Sequence, residues 1–208
     1  MKYVKEFLEY FQAFPTFTAN DAKLFLRKNG SERDYYKVFM HNMIKNRKIL
    51  SISKGHYTLH DNPVVAGFAY SPFYYGMEMA LTYYKLWNYM TPISIVTTNR
   101  IRKGNIVLLG RNANVRRIQK NKFFGYSMVY YKDSIYIPMA DIEKTLIDSI
   151  YFHSLFDKEV YSAMVGKLDR KRLARYLRNY SNIIKKQVDY LLKTNEKKHI
   201  VPQIANKR

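Results

Sequence analysis

The sequence predicts an α+β protein in which a helical N-terminal unit precedes a unit with a small antiparallel or mixed sheet and C-terminal helices. Apolar residues recur at helical spacing before residue 48 and again after residue 138, while alternating and β-branched runs dominate residues 49–137. Aromatic residues make up 16% of the 208 residues, which is enough buriable surface for real cores. This length favours two units over one.

Two helices are predicted in the first thirty residues. The first covers residues 3–14, where Val4, Phe7 and Phe11 repeat at helical spacing. The second begins after Thr18, because Asp21 lies three residues further on in capping-box fashion. It ends at Asn29-Gly30, where glycine can adopt the left-handed conformation of a C-cap.

A third helix is predicted to begin with Ser31 as its N-cap, again with an acid, Asp34, three residues later. Its inward stripe is Tyr36, Phe39, Met40, Met43 and Ile44. After Lys48 the pattern alternates around the turn Lys54-Gly55, which predicts a hairpin. Three short helices followed by a hairpin is the order of a winged helix-turn-helix, so residues 1–61 are predicted to be a DNA-binding domain of that type.

The face of the third helix opposite its apolar stripe is polar. Lysines there suit phosphate or guanine, an asparagine can pair with adenine, and a lysine at the hairpin turn suits phosphate. The predicted DNA-binding residues are Ser31, Arg33, Lys37, His41, Asn42, Lys45 and Lys54. An ordinary solvated helix face, or a winged helix that binds protein, remains open as an alternative.

Residues 62–155 are predicted to form an α+β domain that begins at the turn-prone Asn62-Pro63. A helix over residues 75–87 comes first, and a helix capped by Asp141 follows Pro138. Between them, β-branched and aromatic runs predict strands. These strands cover residues 93–97, 106–109, 115–119, 126–131 and 135–137.

Residues 156–208 are predicted to be basic C-terminal helices, attached to the second domain and ending in a loose tail over residues 195–208. One amphipathic helix carries Leu173 and Leu177 on one side and Lys171, Arg175 and Arg178 on the other. Such a stripe is solvated surface, or a surface for a polyanion or an acidic partner.

The formal net charge is +20, from 36 Lys+Arg against 16 Asp+Glu. Residues 1–61 carry +5, residues 62–155 carry +6 and residues 156–208 carry +9. A charge of this size points to a polyanionic partner, most often nucleic acid. We expect double-stranded DNA, specifically the protein's own promoter, and two copies acting together if the half-sites are palindromic.

A second basic surface is predicted because residues 79–132 contain ten Lys+Arg and no Asp or Glu. With the C-terminal stripe, its members are Arg100, Arg102, Lys103, Arg116, Arg117, Lys120, Lys122, Lys171, Arg175 and Arg178. This region supports an alternative function, an RNA-binding or nucleic-acid-processing protein with stacking aromatics at Phe123, Phe124, Tyr126, Tyr130 and Tyr131. At strand spacing such aromatics also suit a core.

Several classes of protein are excluded or disfavoured. With no cysteine, disulfides, thiolate metal sites and cysteine nucleophiles are impossible. No apolar run approaches a membrane span, so we expect a cytoplasmic protein without a membrane partner. Residues 79–132 contain no Asp or Glu and therefore cannot supply paired general acids. His56 and His60 would lie about 13 Å apart on an extended strand, which is too far for both to bind one metal ion. We expect no catalytic residues, no metal, no cofactor and no enzyme activity.

Residues 137–148, which read IPMADIEKTLID, resemble the "pEkTLiD" signature of the AbiEi antitoxin family. The resemblance covers roughly residues 1–155 and is closest at residues 143–148. Other matching features are the wing at residues 53–57, the helix entry from Tyr70-Ser71 to Ala80-Leu81, and Ile95-Val96-Thr97. The family usually has "hGL" after the Ala-Leu pair, whereas this chain has residues 83–87, YYKLW.

The resemblance implies a winged helix that represses its own operon, joined to a domain that neutralises a neighbouring toxin. In this family of type IV toxin–antitoxin and abortive-infection systems, the toxin resembles a nucleotidyltransferase, and the antagonism need not involve a stable complex. Within the signature, Glu143, Lys144 and Asp148 favour a structural role over a catalytic one. Acids in the first turn complement the helix dipole, and Lys144 lies one turn from Asp148.

Overall fold

The mixed α+β class is confirmed in a computed structural model that describes residues 2–100, 104–131 and 135–196. The helices are α1 Val4–Phe11, α2 Ala19–Lys28, α3 Tyr35–Lys45, α4 Met77–Tyr83, α5 Ile142–Tyr151, α6 Lys158–Val165, α7 Arg170–Leu177 and α8 Asn182–Glu196, with 3-10 helices at Pro63–Tyr70 and Lys120–Lys122. The strands are β1 Phe17–Thr18, β2 Leu50–Ser53, β3 His56–Thr58, β4 Phe73–Tyr75, β5 Ile93–Thr97, β6 Gly104–Leu108, β7 Arg111–Arg117, β8 Tyr126–Tyr131 and β9 Ile135–Ala140.

The N-terminal unit packs α1, α2 and α3 around a core rich in phenylalanine. The Phe7 ring is at its centre, with ring centroids 4.6 Å from Phe11 and 5.0 Å from Phe39. The predicted hairpin forms as β2 and β3, and β1 adds a third antiparallel strand in the order β1-β3-β2. Strand β1 was not predicted because two residues are too few to show a period.

The boundary between α2 and α3 corrects one prediction. The Ser31 amide donates to the Leu26 carbonyl at 3.0 Å, and the Gly30 amide donates to Arg27 at 3.0 Å, with Gly30 at φ +85°. These two bonds are a Schellman motif that ends α2. Ser31 is therefore not the N-cap of the third helix, which begins four residues later with Asp34 before it and no side-chain cap.

The second unit is built on a mixed six-stranded sheet of order β6-β7-β5-β4-β9-β8, in which β5 pairs parallel with β7 and β4 with β9. On one face the core includes Ile95, Tyr75 and Met139, and Ile52 of the hairpin packs into the same cluster. On the other face Tyr74 and its neighbours pack against the C-terminal end of α5. The sheet is thus covered on both sides near its middle.

Several of the predicted elements have different bounds. Tyr75 ends β4 instead of starting a helix, because Phe73, Tyr74 and Tyr75 are all buried and pair with β5. Strand β7 begins at Arg111, four residues before the predicted start. Strand β9 continues through Pro138 to Ala140, with Pro138 opposite Met128 of β8 and Met139 opposite Tyr75 of β4.

Helices α4 to α8 form one layer around α5, with Leu81, Leu146, Met164, Leu173 and Val188 in a shared cluster. The two predicted C-terminal helices are confirmed as α7 and α8. Helix α6 was not predicted, since its two turns give a short pattern. The predicted tail lies outside the described residues from position 197 onwards, and among the described helices none is both long and apolar enough to cross a bilayer.

Candidate nucleic-acid interface

Helix α3 presents a polar face because its opposite side is anchored in the core. Phe39, Met40 and Met43 are buried, which directs the other side of the helix outward. Two of the residues predicted to face inward lie nearer the surface, since Tyr36 is half-buried and Ile44 is 39% exposed. The buried stripe is therefore narrower than predicted, and the solvent-facing side is wider.

The predicted DNA-binding residues occupy this outer side and the segment before it. Lys37, His41 and Lys45 are exposed on α3, and Arg33 is exposed just before the helix. Asn42 is half-buried, which restricts the base edges that its amide could reach. Ser31 is half-buried in the turn that ends α2.

Lys37 is the one cation of this group with an ion pair among the described residues. Its Nζ lies 3.0 Å from Asp34 Oδ1, with both side chains mostly exposed. The hydrogen bond that the Lys37 ammonium donates to Asp34 raises the pKa of the lysine, so it stays charged at neutral pH. In a polyanion complex Asp34 would offset part of that charge.

Lys54 is exposed at the turn between β2 and β3. The neighbouring Gly55 has φ +79°, and its carbonyl accepts a 2.9 Å hydrogen bond from the Ala19 amide at the start of α2. The hairpin turn is therefore held against α2. It presents Lys54 from a fixed backbone.

The second basic surface divides into separate groups. On α7, Lys171, Arg175 and Arg178 are exposed and line a shallow groove together with Asp169 and Arg172. Arg172 faces Asp141 and Glu143 at 3.9 and 3.7 Å, so α5 neutralises part of this helix. The three predicted cations remain on its outer side.

Arg116 and Lys122 turn towards aromatic rings. The Arg116 guanidinium lies 5.5 Å from the Phe152 ring centroid and donates to Ser154 Oγ at 3.2 Å. Lys122 Nζ lies 5.5 Å from the Tyr151 ring. Cation–aromatic contacts of this kind hold both side chains in place and leave their charge intact.

The remaining members follow the sheet. Arg117 is exposed at the end of β7 opposite Thr97, and Arg100 is exposed three residues beyond Thr97. Because β5 and β7 are parallel, both arginines follow strands that finish at the same end of the sheet. Lys120 is exposed in the following 3-10 turn, whereas Arg102 and Lys103 lie outside the described residues.

The aromatics proposed for base stacking separate into two sets. Phe123 packs against Tyr74, Phe124 packs against Tyr176, and Tyr131 is half-buried beside the sheet core. Tyr126 and Tyr130 are exposed by 38% and 56%. Tyr126 has one ring face stacked on Tyr74 at 5.2 Å, whereas Tyr130 pairs with the exposed Tyr136 at 5.4 Å. Of the five rings, that of Tyr130 is the most exposed.

The signature residues of α5 form a sealed polar network. Lys144 and Asp148 have no exposed surface, and their side chains are in direct contact. Asp148 accepts from Tyr74 Oη at 2.7 Å, and Lys144 Nζ donates to Tyr180 Oη at 2.9 Å. The rings of Tyr74, Phe124 and Tyr180 surround the ammonium at 5.4 to 5.7 Å.

Burial sets the protonation chemistry of this network. Desolvation raises the pKa of Asp148 and lowers the pKa of Lys144, while their mutual contact opposes both changes. Glu143 is also buried, and its Oε1 accepts from the Asp169 amide at 2.6 Å, which fixes the start of α7. A substrate could not reach the pair without opening the helical layer, so the geometry fits a structural role.

The possible metal ligands of the described residues lie apart from one another. Among residues 2–100, 104–131 and 135–196, no three His, Cys, Asp or Glu side chains cluster suitably for a metal ion. His56 Nδ1 instead lies 3.4 Å from Ser53 Oγ, and His60 Nε2 lies 3.1 Å from the Phe14 carbonyl.

Comparison with known proteins establishes likeness of fold alone. No family model matches the chain, and no curated protein matches it significantly. Among solved structures, three chains match. One of them is titled "Crystal structure of RV2827C protein from Mycobacterium tuberculosis", with 14% identity over 92% of this chain and 75% of that chain, and a TM-score of 0.64.

Proposed function

We propose that this protein is a DNA-binding transcriptional repressor that contacts duplex DNA with α3 and the β2–β3 hairpin. The observation that carries the proposal is the exposed face of α3 with Arg33, Lys37, His41 and Lys45, set on a unit of three helices and a β1-β3-β2 sheet. This order of elements supports the winged-helix interpretation, in which such a helix enters the major groove.

The sequence resemblance to AbiEi antitoxins supports a more specific proposal. In it, the repressor acts on its own operon and is the antitoxin of a type IV toxin–antitoxin system, opposite a nucleotidyltransferase-like toxin. Such a toxin in the neighbouring reading frame, and rescue of its growth inhibition by this chain, are the expected observations. If the toxin still inhibits growth when this chain is expressed at a level matching that of the toxin, the antitoxin role is contradicted. The proposal of DNA binding is tested separately.

A gel-shift titration with the DNA upstream of the gene tests the repressor proposal. At physiological salt we expect binding at least about 10³-fold tighter than to random duplex. Lys45→Ala on α3 should weaken binding about tenfold, because it removes a cation from the proposed interface. The matched control is Lys5→Ala, which changes an exposed lysine on α1 and should alter affinity less than about twofold. Equal affinity for specific and random DNA would contradict sequence-specific repression.

A second candidate function is binding of single-stranded nucleic acid at β8. The observation that favours it is the exposed aromatic pair Tyr130–Tyr136, with Tyr126 exposed on the same strand as Tyr130. Stacking on such rings contributes about 1–3 kcal/mol per base. Tyr136→Ala should then weaken binding of labelled oligo-RNA, and incubation with magnesium or manganese would reveal any turnover. Unchanged RNA affinity in this variant would remove the candidate.

A further inference from the structure

Strand β8 lies at one edge of the larger sheet, and among the described strands it pairs with β9 alone. Just before β8, the Gly125 carbonyl accepts a 2.9 Å hydrogen bond from the Asp141 amide, so the backbone of Gly125 faces the neighbouring strand. In an antiparallel pair this direction alternates from one residue to the next. The N–H and C=O groups of Tyr126 and Met128 therefore point away from β9, towards the free edge.

One side of this edge is apolar and exposed. Met128 and Tyr130 are exposed by 57% and 56%, and Tyr136, directly opposite Tyr130 on β9, is exposed by 59%. These three side chains are on the same side of the sheet, because side chains alternate along a strand and paired positions share a side. An edge strand with outward backbone groups and exposed apolar side chains is a place where a further strand pairs.

Charge distinguishes β8 from β6, the strand at the other edge of the sheet. Strand β7, which pairs with β6, carries Arg111, Arg116 and Arg117. By contrast, residues 123–131 and 135–140 contain no Asp, Glu, Lys or Arg. Two copies of a chain with a net charge of +20 repel each other, and this repulsion is weakest where the facing strands are uncharged. An acidic partner would gain nothing from such a strand, so the occupant that fits this edge is a second copy.

We propose that two copies of this chain associate by antiparallel pairing of β8 with β8, which joins their sheets edge to edge. Both copies offer the same strand, so a two-fold axis relates them. With the axis at Met128, this residue faces its own counterpart, and the outward N–H of each bonds to the C=O of the other. The same register places Tyr126 of one copy opposite Tyr130 of the other. This association does not rest on the proposed DNA binding.

Sedimentation velocity on the full chain, with no nucleic acid present, tests the proposal. Because the contact is one strand and a few side chains, we expect a monomer–dimer equilibrium with half of the chains paired at roughly 10–100 µM. Added salt should strengthen the pairing, since it screens the repulsion between two copies that each carry +20. Salt weakens DNA binding, so failure of this proposal and failure of the repressor proposal are distinguishable.

Charged substitutions at the axis test the register. Met128→Lys places two lysines face to face and should weaken pairing about fivefold or more. A mixture of Met128→Lys and Met128→Glu should pair more tightly than either variant alone, because opposite charges then face each other. The matched control is Val107→Lys, since Val107 is 65% exposed on β6 and the change adds the same charge at the other edge. It should alter the dissociation constant less than about twofold.

Three results would overturn the proposal. They are a monomer at all concentrations up to about 1 mM, pairing that weakens as salt rises, and equal pairing by Met128→Lys and the unmodified chain. A monomeric chain whose RNA affinity falls in Tyr136→Ala would assign this strand to single-stranded nucleic acid instead. The concentration and salt series need no variant, so they remain decisive even if a substituted chain does not fold.

Discussion

Lys144 and Asp148 have the same spacing that surface ion pairs use, yet they are in the core. Spacing of i and i+4 predicts their contact, but lysine and aspartate are among the residues least often fully buried. Their burial depends on side chains far away in sequence, Tyr74 on β4 and Tyr180 after α7. Gly125 also allows close approach, since a Cβ at that position would lie 2.9 Å from Lys144 Cβ.

Removal of one partner from this pair should strongly destabilise the fold. Lys144→Met leaves Asp148 as a buried carboxylate without its cation, and we expect a loss of about 3–5 kcal/mol in the free energy of unfolding. Urea denaturation at pH 7 measures it. The double variant Lys144→Met/Asp148→Asn keeps an acceptor for Tyr74 without the charge, so it should lose less than Lys144→Met alone. If the double variant loses as much stability as the two single substitutions added together, the two side chains do not interact.

Three tyrosines that are buried or half-buried should make the protein sensitive to alkali. Burial raises the pKa of Tyr84 and of Tyr176 to about 12, and also raises the pKa of Tyr180. Unfolded tyrosines ionise near 10, so above that pH the unfolded chain holds fewer protons than the folded chain. Stability should therefore be constant up to about pH 10 and fall as pH rises towards 12.

Urea midpoints between pH 9 and 12 test this expectation, with tyrosinate absorbance recorded in parallel. Tyr176→Phe keeps the ring contact with Phe124 but has no hydroxyl to ionise. It should make the fall less steep. A midpoint that stays constant to pH 12 would contradict the burial of these hydroxyls.

Among the secondary-structure elements, the predicted N-cap of α2 is correct and the predicted N-cap of α3 is wrong. Thr18 forms the predicted capping box, with the Asp21 amide donating to Thr18 Oγ1 at 3.1 Å and the Thr18 amide donating to Asp21 Oδ2 at 2.8 Å. The pattern Ser31–Asp34 looks equivalent in sequence. It fails because the Ser31 amide already closes the end of α2.

Substitution of the two N-cap residues should therefore have unequal effects. Thr18→Ala removes a real cap and should cost about 1 kcal/mol. Asp34→Ala at the N-cap of α3 removes no cap bond, only an exposed ion pair with Lys37, and should cost less than about 0.5 kcal/mol. Thermal or urea unfolding of the two variants under one condition is the measurement. Equal losses would mean that Asp34 caps α3 in solution.

At the scale of the whole molecule, the charge is not concentrated on the unit proposed to bind DNA. Residues 1–61 carry +5 of the +20, and residues 156–208 carry +9. The exposed cations of α7 form a face of their own, whereas Arg116 and Lys122 are fixed against aromatic rings. The second basic surface is thus several groups on different elements.

The salt dependence of DNA binding tests whether α7 takes part. If Lys171, Arg175 and Arg178 each neutralise one phosphate, changing all three to Gln should lower the magnitude of the log–log salt slope by about 2.7. Changing Lys158, Lys167 and Lys185 to Gln is the matched control with the same change of net charge, and it should alter the slope less. If the α7 variant has the same salt slope as the unmodified protein, this face does not contact DNA and serves another partner or none.

The sequence by itself determined the order of most elements, the hairpin, the capping box of α2 and the outward face of α3. These features depend on periodicity and on bonds within a few residues, which a sequence displays directly. Strands β1 and β4 and helix α6 escaped prediction because each is too short to show a period.

Only the tertiary structure decided which charges are sealed and which are exposed. The burial of Lys144 and Asp148, the separation of the basic residues into groups, and the position of β8 at an edge of the sheet all arise from contacts between elements distant in the chain. Helical spacing can place two side chains on one side of a helix. Whether that side meets water or another helix depends on how the sheet and helices pack, which local pattern does not encode.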